Sequence, residues 1–533
     1  MLTREKSWLS SRYCTISRLD SAMPRAEFRV RERDLAGRIG ELRLKRGIIE
    51  TPYLFPVIDL FRQELPVSEI KEIGFNAVIT NAYLLYKRGF SQALRDVLGS
   101  GVIAMTDSGA YQLMEYGSID IDNETIIEYQ KRIDSDIAVI LDYPTGDSMD
   151  RAFAEKTVEI TLSRAKDSLP KLDFENRAWA LPIQGGVHLD LLDKSAELSA
   201  SLDYDIYALG SPTRMMESYN YEVVADMLVT VKNKLPYLKP LHLFGGGHPM
   251  LIPFAVALGA DLFDSASYML FARDNRYMTE KGTKRLEDLD YLPCSCPVCS
   301  RFTAKELMEM EQKERTRLLA KHNLYIVMSV LRKTKQAIVE GRLWELLEEF
   351  SRGHPSLYSL LTYISKRHYL HIENRTPSLP MRPSSVFAFG EESLSNPHIY
   401  RSRKFLLERY APPPSRKELV LRPRLSLTIT DEAVPDKEDV HLVYYDHIMS
   451  VPVDVARLYP EGHMVVPKAF LYEEELYMKA IRNAVEYALR KKMFYQKITL
   501  EVCYEWLGAS LKALRDYQFF NIKPVMCLNQ VES

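Results

Sequence analysis

Cysteine is scarce: there are six in 533 residues, and three of them fall within Cys294-Ser295-Cys296-Pro297-Val298-Cys299. The other three, Cys14, Cys503 and Cys527, lie far apart in the chain, which argues against a disulfide framework and for a reducing compartment. Long apolar runs are missing as well. No stretch approaches the roughly 20 residues a bilayer requires, and the opening MLTREKSWLSSRYC lacks the apolar core of a secretory signal, so a cytoplasmic protein with no membrane attachment is expected. Net charge is almost absent, −2 at neutral pH with a pI near 6.6, which excludes a protein that holds a polyanion by global charge alone. Any nucleic-acid site must be local. Neither His-x-His nor His-Glu-x-x-His occurs, so the patterns that usually accompany catalytic zinc are absent.

What is present is a soluble-type composition, 46% hydrophobic and 27% charged, in a chain too long for one ordinary core. Residues 1–24 read as a loose extension in which Met23 rivals Met1 as a start. From residue 50 onward eight apolar, β-branched runs alternate with helix-periodic stretches: TPYLFPV, NAVIT, VIAMT, IAVIL, AWALPI, IYALG, LHLFG and ADLFD. Continuous apolar strands suit a parallel sheet buried on both faces, and eight strand–helix alternations predict an α/β fold, a (β/α)8 TIM barrel.

The residues just after these runs carry the chemistry. VIAMT leads to Asp107-Ser108-Gly109, IAVIL to Asp142, AWALPI to Gln184, IYAL to Gly210, LHLF to Gly245-Gly246-Gly247, and ADLF to Asp264. In such a barrel the strand C-termini share one rim, so three carboxylates and a carboxamide converge there. Any one of these residues alone reads equally as a helix cap or a turn. The triple glycine admits two readings, a phosphate cradle or a tight turn.

The thiols of Cys294, Cys296 and Cys299 need a fourth ligand to close a tetrahedral zinc site, and the Thr303-x-x-Glu306 capping box opens a helical pattern running through His322. A Cys3His set has no open coordination position. The zinc is therefore expected to be structural, although His322 also reads as an ordinary helix-face histidine. Between Asp264 and the thiols, Arg273, Arg276, Lys281, Lys284 and Arg285 interleave with Tyr268, Phe271 and Tyr277, a texture suited to an RNA strand with a splayed base. The bland reading of that stretch is a solvated charged loop.

Beyond a Pro/Ser-rich boundary near residue 375, residues 376–450 hold a basic cluster, Arg401, Arg403, Lys404, Arg409, Arg416, Lys417, Arg422 and Arg424, readable as phosphate contact or as a solvated linker. Residues 451–533 pair an amphipathic helix with a strand, a small α+β module.

The segments TDSGAYQL, LDYPT, PIQGGVH, ALGSP, LFGGGHP, LFDSASY, CSCPVC and HNLY, in that order, resemble the tRNA-guanine transglycosylases over about residues 25–375. The longer C-terminal part is similar to the archaeal branch. The resemblance implies base exchange in tRNA: guanine at position 15 of the D arm is replaced by 7-cyano-7-deazaguanine (preQ0), a step toward archaeosine. It implies Asp264 as nucleophile and Asp107 as general acid/base, with retention at the sugar carbon. It further implies a base pocket of Ser108, Asp142, Gln184, Leu209 and the Gly210 N–H, with Tyr111 and Phe244 stacking on the ring. One structural zinc and a homodimer belong to the same implication. No terminal PUA-type RNA-binding domain is recognisable, so such a domain is either absent or a separate polypeptide. The alternatives are a repurposed tRNA-binding paralogue, against which both aspartates argue, and a barrel enzyme acting on a phosphorylated small molecule.

Overall fold

The computed structural model describes residues 25–110, 121–432 and 438–527. The expected N-terminal extension, Cys14 and Tyr111 therefore lie outside the described residues. An antiparallel meander opens the described chain: β1 (Glu27–Asp34), β2 (Gly37–Leu44) and β3 (Gly47–Glu50), in the order β1-β2-β3.

Eight strands follow: β4 (Tyr53–Pro56), β5 (Ala77–Asn81), β6 (Ile103–Asp107), β7 (Ile137–Val139), β8 (Ala178–Ile183), β9 (Ile206–Leu209), β10 (Leu241–Leu243) and β11 (Leu262–Ser265). They coincide with the eight apolar runs. All neighbours pair in parallel, and the ring closes where Val57 bridges Ile79 and the Ile58 N–H donates to the Ile79 carbonyl at 2.8 Å. Helices between successive strands bury the outer face, and one continuous core runs from Phe28 to Ile372. The result is the TIM barrel expected from the alternation of runs.

The N-terminal end of this barrel is a structural seal. The β2 residue Arg38 donates through Nε to Asp261 at 2.9 Å, Lys232 approaches the same carboxylate at 3.3 Å, and all three side chains are buried. A buried ion pair with this many satisfied donors fixes geometry rather than adding net stability.

Between β11 and the last barrel helix, Gln312–Glu340, the chain inserts a hairpin, β12 (Arg276–Thr279) with β13 (Gly282–Arg285), and the cysteine-rich turn. The single helix expected from Thr303 to His322 is two helices. The capping box starts Ala304–Glu309, and the Glu311 side chain then accepts from the Lys313 and Glu314 N–H groups and starts Gln312–Glu340.

Beyond the barrel, β14 (Val386–Phe387) pairs with β18 (Met464–Val465). A larger sheet contains β15 (Glu418–Pro423), β16 (Val440–Tyr445), β17 (Ser450–Pro452), β19 (Lys497–Cys503) and β20 (Phe520–Val525) in the order β17-β16-β15-β19-β20. Its strands come from both sides of residue 450, so the boundary expected there falls inside a sheet. The physical reason is burial: β15 and β16 bury apolar side chains in the same core as helix Glu474–Lys491. The expectation of no disulfide is also corrected. β19 and β20 are parallel neighbours, and this brings Cys503 and Cys527 together as a disulfide despite 24 residues of separation.

The basic cluster is largely internal. Arg401 donates to the Glu373 and Thr376 carbonyls, Arg403 pairs with Glu486, Arg416 donates to the Val440 carbonyl, Arg422 pairs with Glu501, and Arg424 pairs with Asp446 in a buried site. Lys404, Arg409 and Lys417 remain exposed. Five of the eight are thus engaged within the protein, and Arg416, Arg422 and Arg424 among them fasten the C-terminal sheet.

Candidate active site

Strand β6 ends at Asp107, and β11 carries Asp264 near its end. Both carboxylates line one cavity of about 810 Å³ at the C-terminal rim, together with Ser108, Asp142, Gln184, Gly210, Phe244, Arg273 and Arg276. A cavity of this size suits a purine and its sugar.

Each carboxylate is held by one oxygen. Asp107 Oδ1 accepts from the Gly109 N–H at 2.7 Å and from the Asn81 amide at 2.9 Å. Gly109 sits at φ +88°, and a Cβ there would meet the Tyr83 Cβ at 2.3 Å, so only glycine makes this turn. Burial lifts the Asp107 carboxyl to about 7; the Gly109 hydrogen bond opposes the rise, and the Asp264 and Asp142 charges add to it. The negative charge of Asp264 is thus felt at Asp107.

Asp264, 15% exposed, has the same design. Its Oδ1 accepts from His242 Nε2 at 2.8 Å and from the Gly245 N–H at 3.0 Å. Gly245 adopts φ +70°, and the Gly246 N–H donates to the Leu243 carbonyl at 3.3 Å. Two donors of the triple glycine are thus committed within the protein, and the phosphate-cradle reading loses them.

The residues expected to recognise a base form a network. Gln184 Nε2 donates to Asp142 Oδ2 at 2.5 Å, while Gln184 Oε1 accepts from the Thr145 N–H at 3.0 Å and the Ser211 hydroxyl at 2.9 Å. One amide hydrogen of Gln184 is left for a ligand. Burial pushes Asp142 up to about 6, against the Gln184 hydrogen bond and the Arg164 charge. The expectation that the Gly210 N–H meets the base is corrected: it donates to the Ile183 carbonyl at 3.0 Å as part of the barrel ladder. Gly210 matters for its missing side chain, because a Cβ would meet Gln184 Nε2 at 2.3 Å. Leu209 is fully buried in the barrel core and is not part of the cavity wall. Phe244 lines the cavity beside the His242 ring, with centroids 4.7 Å apart. His248 also lines the cavity, and burial pushes it down to about 4, so it is neutral.

The ligand atoms of Cys294, Cys296, Cys299 and His322 all lie within 4.8 Å of one another and can hold a metal ion. His322 Nδ1 is 3.5 Å from Cys296 Sγ and 3.3 Å from Cys299 Sγ, against the roughly 3.5 Å that separates sulfur and nitrogen around a tetrahedral zinc. Its Nε2 meets the Met278 carbonyl at 2.9 Å, and Tyr277 stacks on the ring at 3.7 Å, so the metal-facing nitrogen is set from behind. Met278 belongs to β12, and its N–H donates to the neighbouring Asn323 at 2.9 Å. The cluster and the long helix therefore fasten the hairpin.

That hairpin presents the basic side chains unequally. Arg276, Lys284 and Arg285 line a shallow hollow beside the cavity, and Lys281 is exposed at the turn. Arg273 is tied to Glu64 at 2.7 Å and to the Arg62 carbonyl at 3.1 Å, a fastening of the rim.

Residues 34–356 match the family model described as queuine tRNA-ribosyltransferase. This chain belongs to the tRNA-guanine transglycosylase family. It is 44% identical to the tRNA-guanine(15) transglycosylase of Aeropyrum pernix over 503 residues, 92% of this chain and 97% of that protein. It is 42% identical to the protein of the same name from Saccharolobus solfataricus, over 91% of this chain and 99% of the relative. The Methanocaldococcus jannaschii protein of that name is 39% identical over 87% of this chain and 72% of its own length. Among the described residues no helix is long and apolar enough to cross a membrane.

Two residues of this transglycosylase rim are not singled out by sequence reasoning. Asn81 follows the NAVIT run and occupies the same strand-end position as Asp107, a signal that was available. His242 is the polar residue inside the otherwise apolar run LHLF, and a histidine in a buried strand is itself a signal.

Proposed function

We propose that this enzyme exchanges guanine at position 15 of the tRNA D arm for 7-cyano-7-deazaguanine through a covalent bond between Asp264 and the ribose. The observation that supports this most is the pair of carboxylates in one cavity, each held by one oxygen, with Asp107 lifted to about 7 and coupled to Asp264. Asp264 attacks the anomeric carbon as the C1′–N9 bond breaks, and Asp107 delivers a proton to the departing guanine. The ionised Asp107 then takes a proton from the incoming base, whose N9 displaces Asp264 and restores the original configuration. General acid/base help of this kind is worth about 10²- to 10⁴-fold.

Asp142 accepts from the N1–H and exocyclic amine of a guanine edge, and Gln184 donates its remaining amide hydrogen to the carbonyl side. Phe244 stacks on the ring, and Ser108 lines the same cavity. Zinc is the ion that best fits three thiolates and one imidazole, and its role here is to fix the β12–β13 hairpin that offers Arg276, Lys281, Lys284 and Arg285 to RNA. The target nucleotide leaves its stack to reach the rim. A cytoplasmic homodimer completes the reading.

The test is incubation with labelled guanine and two tRNA transcripts, one natural and one with guanosine 15 replaced by adenosine. Label enters the first only. Label entering the anticodon instead would reject the D-arm assignment, and exchange without RNA would reject the reading altogether.

A further inference from the structure

His242 occupies a place that the proposed chemistry does not yet use. It is the central residue of β10, its ring is fully buried in the barrel interior, and it stacks on Phe55 of β4 with centroids 5.8 Å apart and planes 10° apart. Register fixes its reach: His242 pairs with Leu262 of β11, so Asp264, two residues on, lies on the same face of the neighbouring strand. The contact is His242 Nε2 to Asp264 Oδ1 at 2.8 Å, while buried Nδ1 has no hydrogen-bond partner. A carboxylate only accepts, so the ring proton sits on Nε2. The Gly245 N–H donates to the same oxygen at 3.0 Å.

From this geometry we infer that His242 is a positioning residue that makes Oδ2 of Asp264 the reacting oxygen and favours release of the sugar from it. The inference rests on the reading of Asp264 as the ribose-bonding carboxylate. With two donors on Oδ1, Oδ2 is the oxygen left for the cavity. When Oδ2 bonds to C1′ and the C1′–N9 electron pair leaves with guanine, Asp264 becomes an ester and Oδ1 its neutral carbonyl oxygen. When N9 of the incoming base attacks C1′, the C1′–Oδ2 electron pair returns to the carboxylate and Oδ1 regains negative charge. Hydrogen bonds to a charged oxygen are about twice as strong as those to a neutral one. The His242 and Gly245 donors are therefore tightest when Asp264 is free, so they speed breakdown of the covalent intermediate and give no help to its formation.

The discriminating pair is His242→Gln and His242→Asn, two uncharged amides of similar folding risk. The Gln amide nitrogen reaches the place of Nε2, whereas that of Asn reaches only the place of Nδ1. Single-turnover rates are measured for formation of the covalent tRNA adduct and for its discharge by added guanine. His242→Gln is expected to keep both rates within about threefold. His242→Asn is expected to slow discharge at least tenfold, the order seen when one donor to a developing charge is removed, with formation changed less and adduct accumulating. Equal behaviour of the two variants, whether both are active, both are slowed alike in the two half-reactions or both are misfolded, would assign His242 to the barrel core alone. A wild-type protein that forms no adduct would overturn the reading of Asp264 instead, so the two failures are distinguishable.

Discussion

Asp107 carries a carboxyl whose pKa is raised from 3.8 to about 7, and the sign of that shift has two consequences. Guanine departure needs the protonated form, so the single-turnover rate of adduct formation should fall as pH rises through about 7. Asp107→Asn should remove that titration along with most of the rate. For stability, the native state binds the proton more tightly than the unfolded chain, so wild-type stability is lost as pH rises from 3.8 to about 7. Thermal melts should find Asp107→Asn the more stable protein at pH 8, with a gap that vanishes near pH 4. Asp142, lifted to about 6, must be ionised to accept from guanine, so base affinity measured by calorimetry should weaken as pH falls through about 6. These carboxylates were legible because each follows an apolar strand, and strand ends meet on one rim in a parallel barrel. The Gly210 N–H was misread for the converse reason. Whether a backbone donor is free depends on strand register, and a run of letters does not reveal its ladder partner.

At the scale of elements, the cysteine turn, the β12–β13 hairpin and helix Gln312–Glu340 act as one unit. His322 joins the first to the third through its Nδ1, and it meets the hairpin through the Met278 carbonyl. Cys296→Ser should lower the melting temperature and raise the KM for tRNA at least tenfold, because the hairpin loses its fastening while the barrel pocket does not. Guanine binding to the same variant, followed by calorimetry, should be unchanged. The ligand spacing was readable in the sequence because thiolates are rare in this chain. The helix break at Met310–Glu311 was not, since Glu311 has good helix propensity and acts here through its side-chain cap.

Over the whole molecule, near-neutral charge means that RNA affinity depends on a few local cations. Lys284→Ala with Arg285→Ala should flatten the salt dependence of tRNA binding by roughly 1.5 in log–log slope, whereas Arg422→Ala with Arg424→Ala should leave that slope and lower stability. Filter binding across a salt series separates the two. The barrel was legible because eight apolar runs have one simple arrangement. The C-terminal sheet was not, because the neighbouring strands β15 and β19 place Glu418 opposite Lys497, 79 residues on, and its disulfide joins thiols that are distant in sequence and adjacent in space.

The most direct measurement is of the covalent bond itself. Wild-type protein incubated with tRNA and no free base, denatured and digested, should yield a nucleotide-modified peptide in which the mass increment sits on Asp264, and Asp264→Asn should yield none. An increment on Asp107, or exchange of guanine by Asp264→Asn at the wild-type rate, would contradict the account.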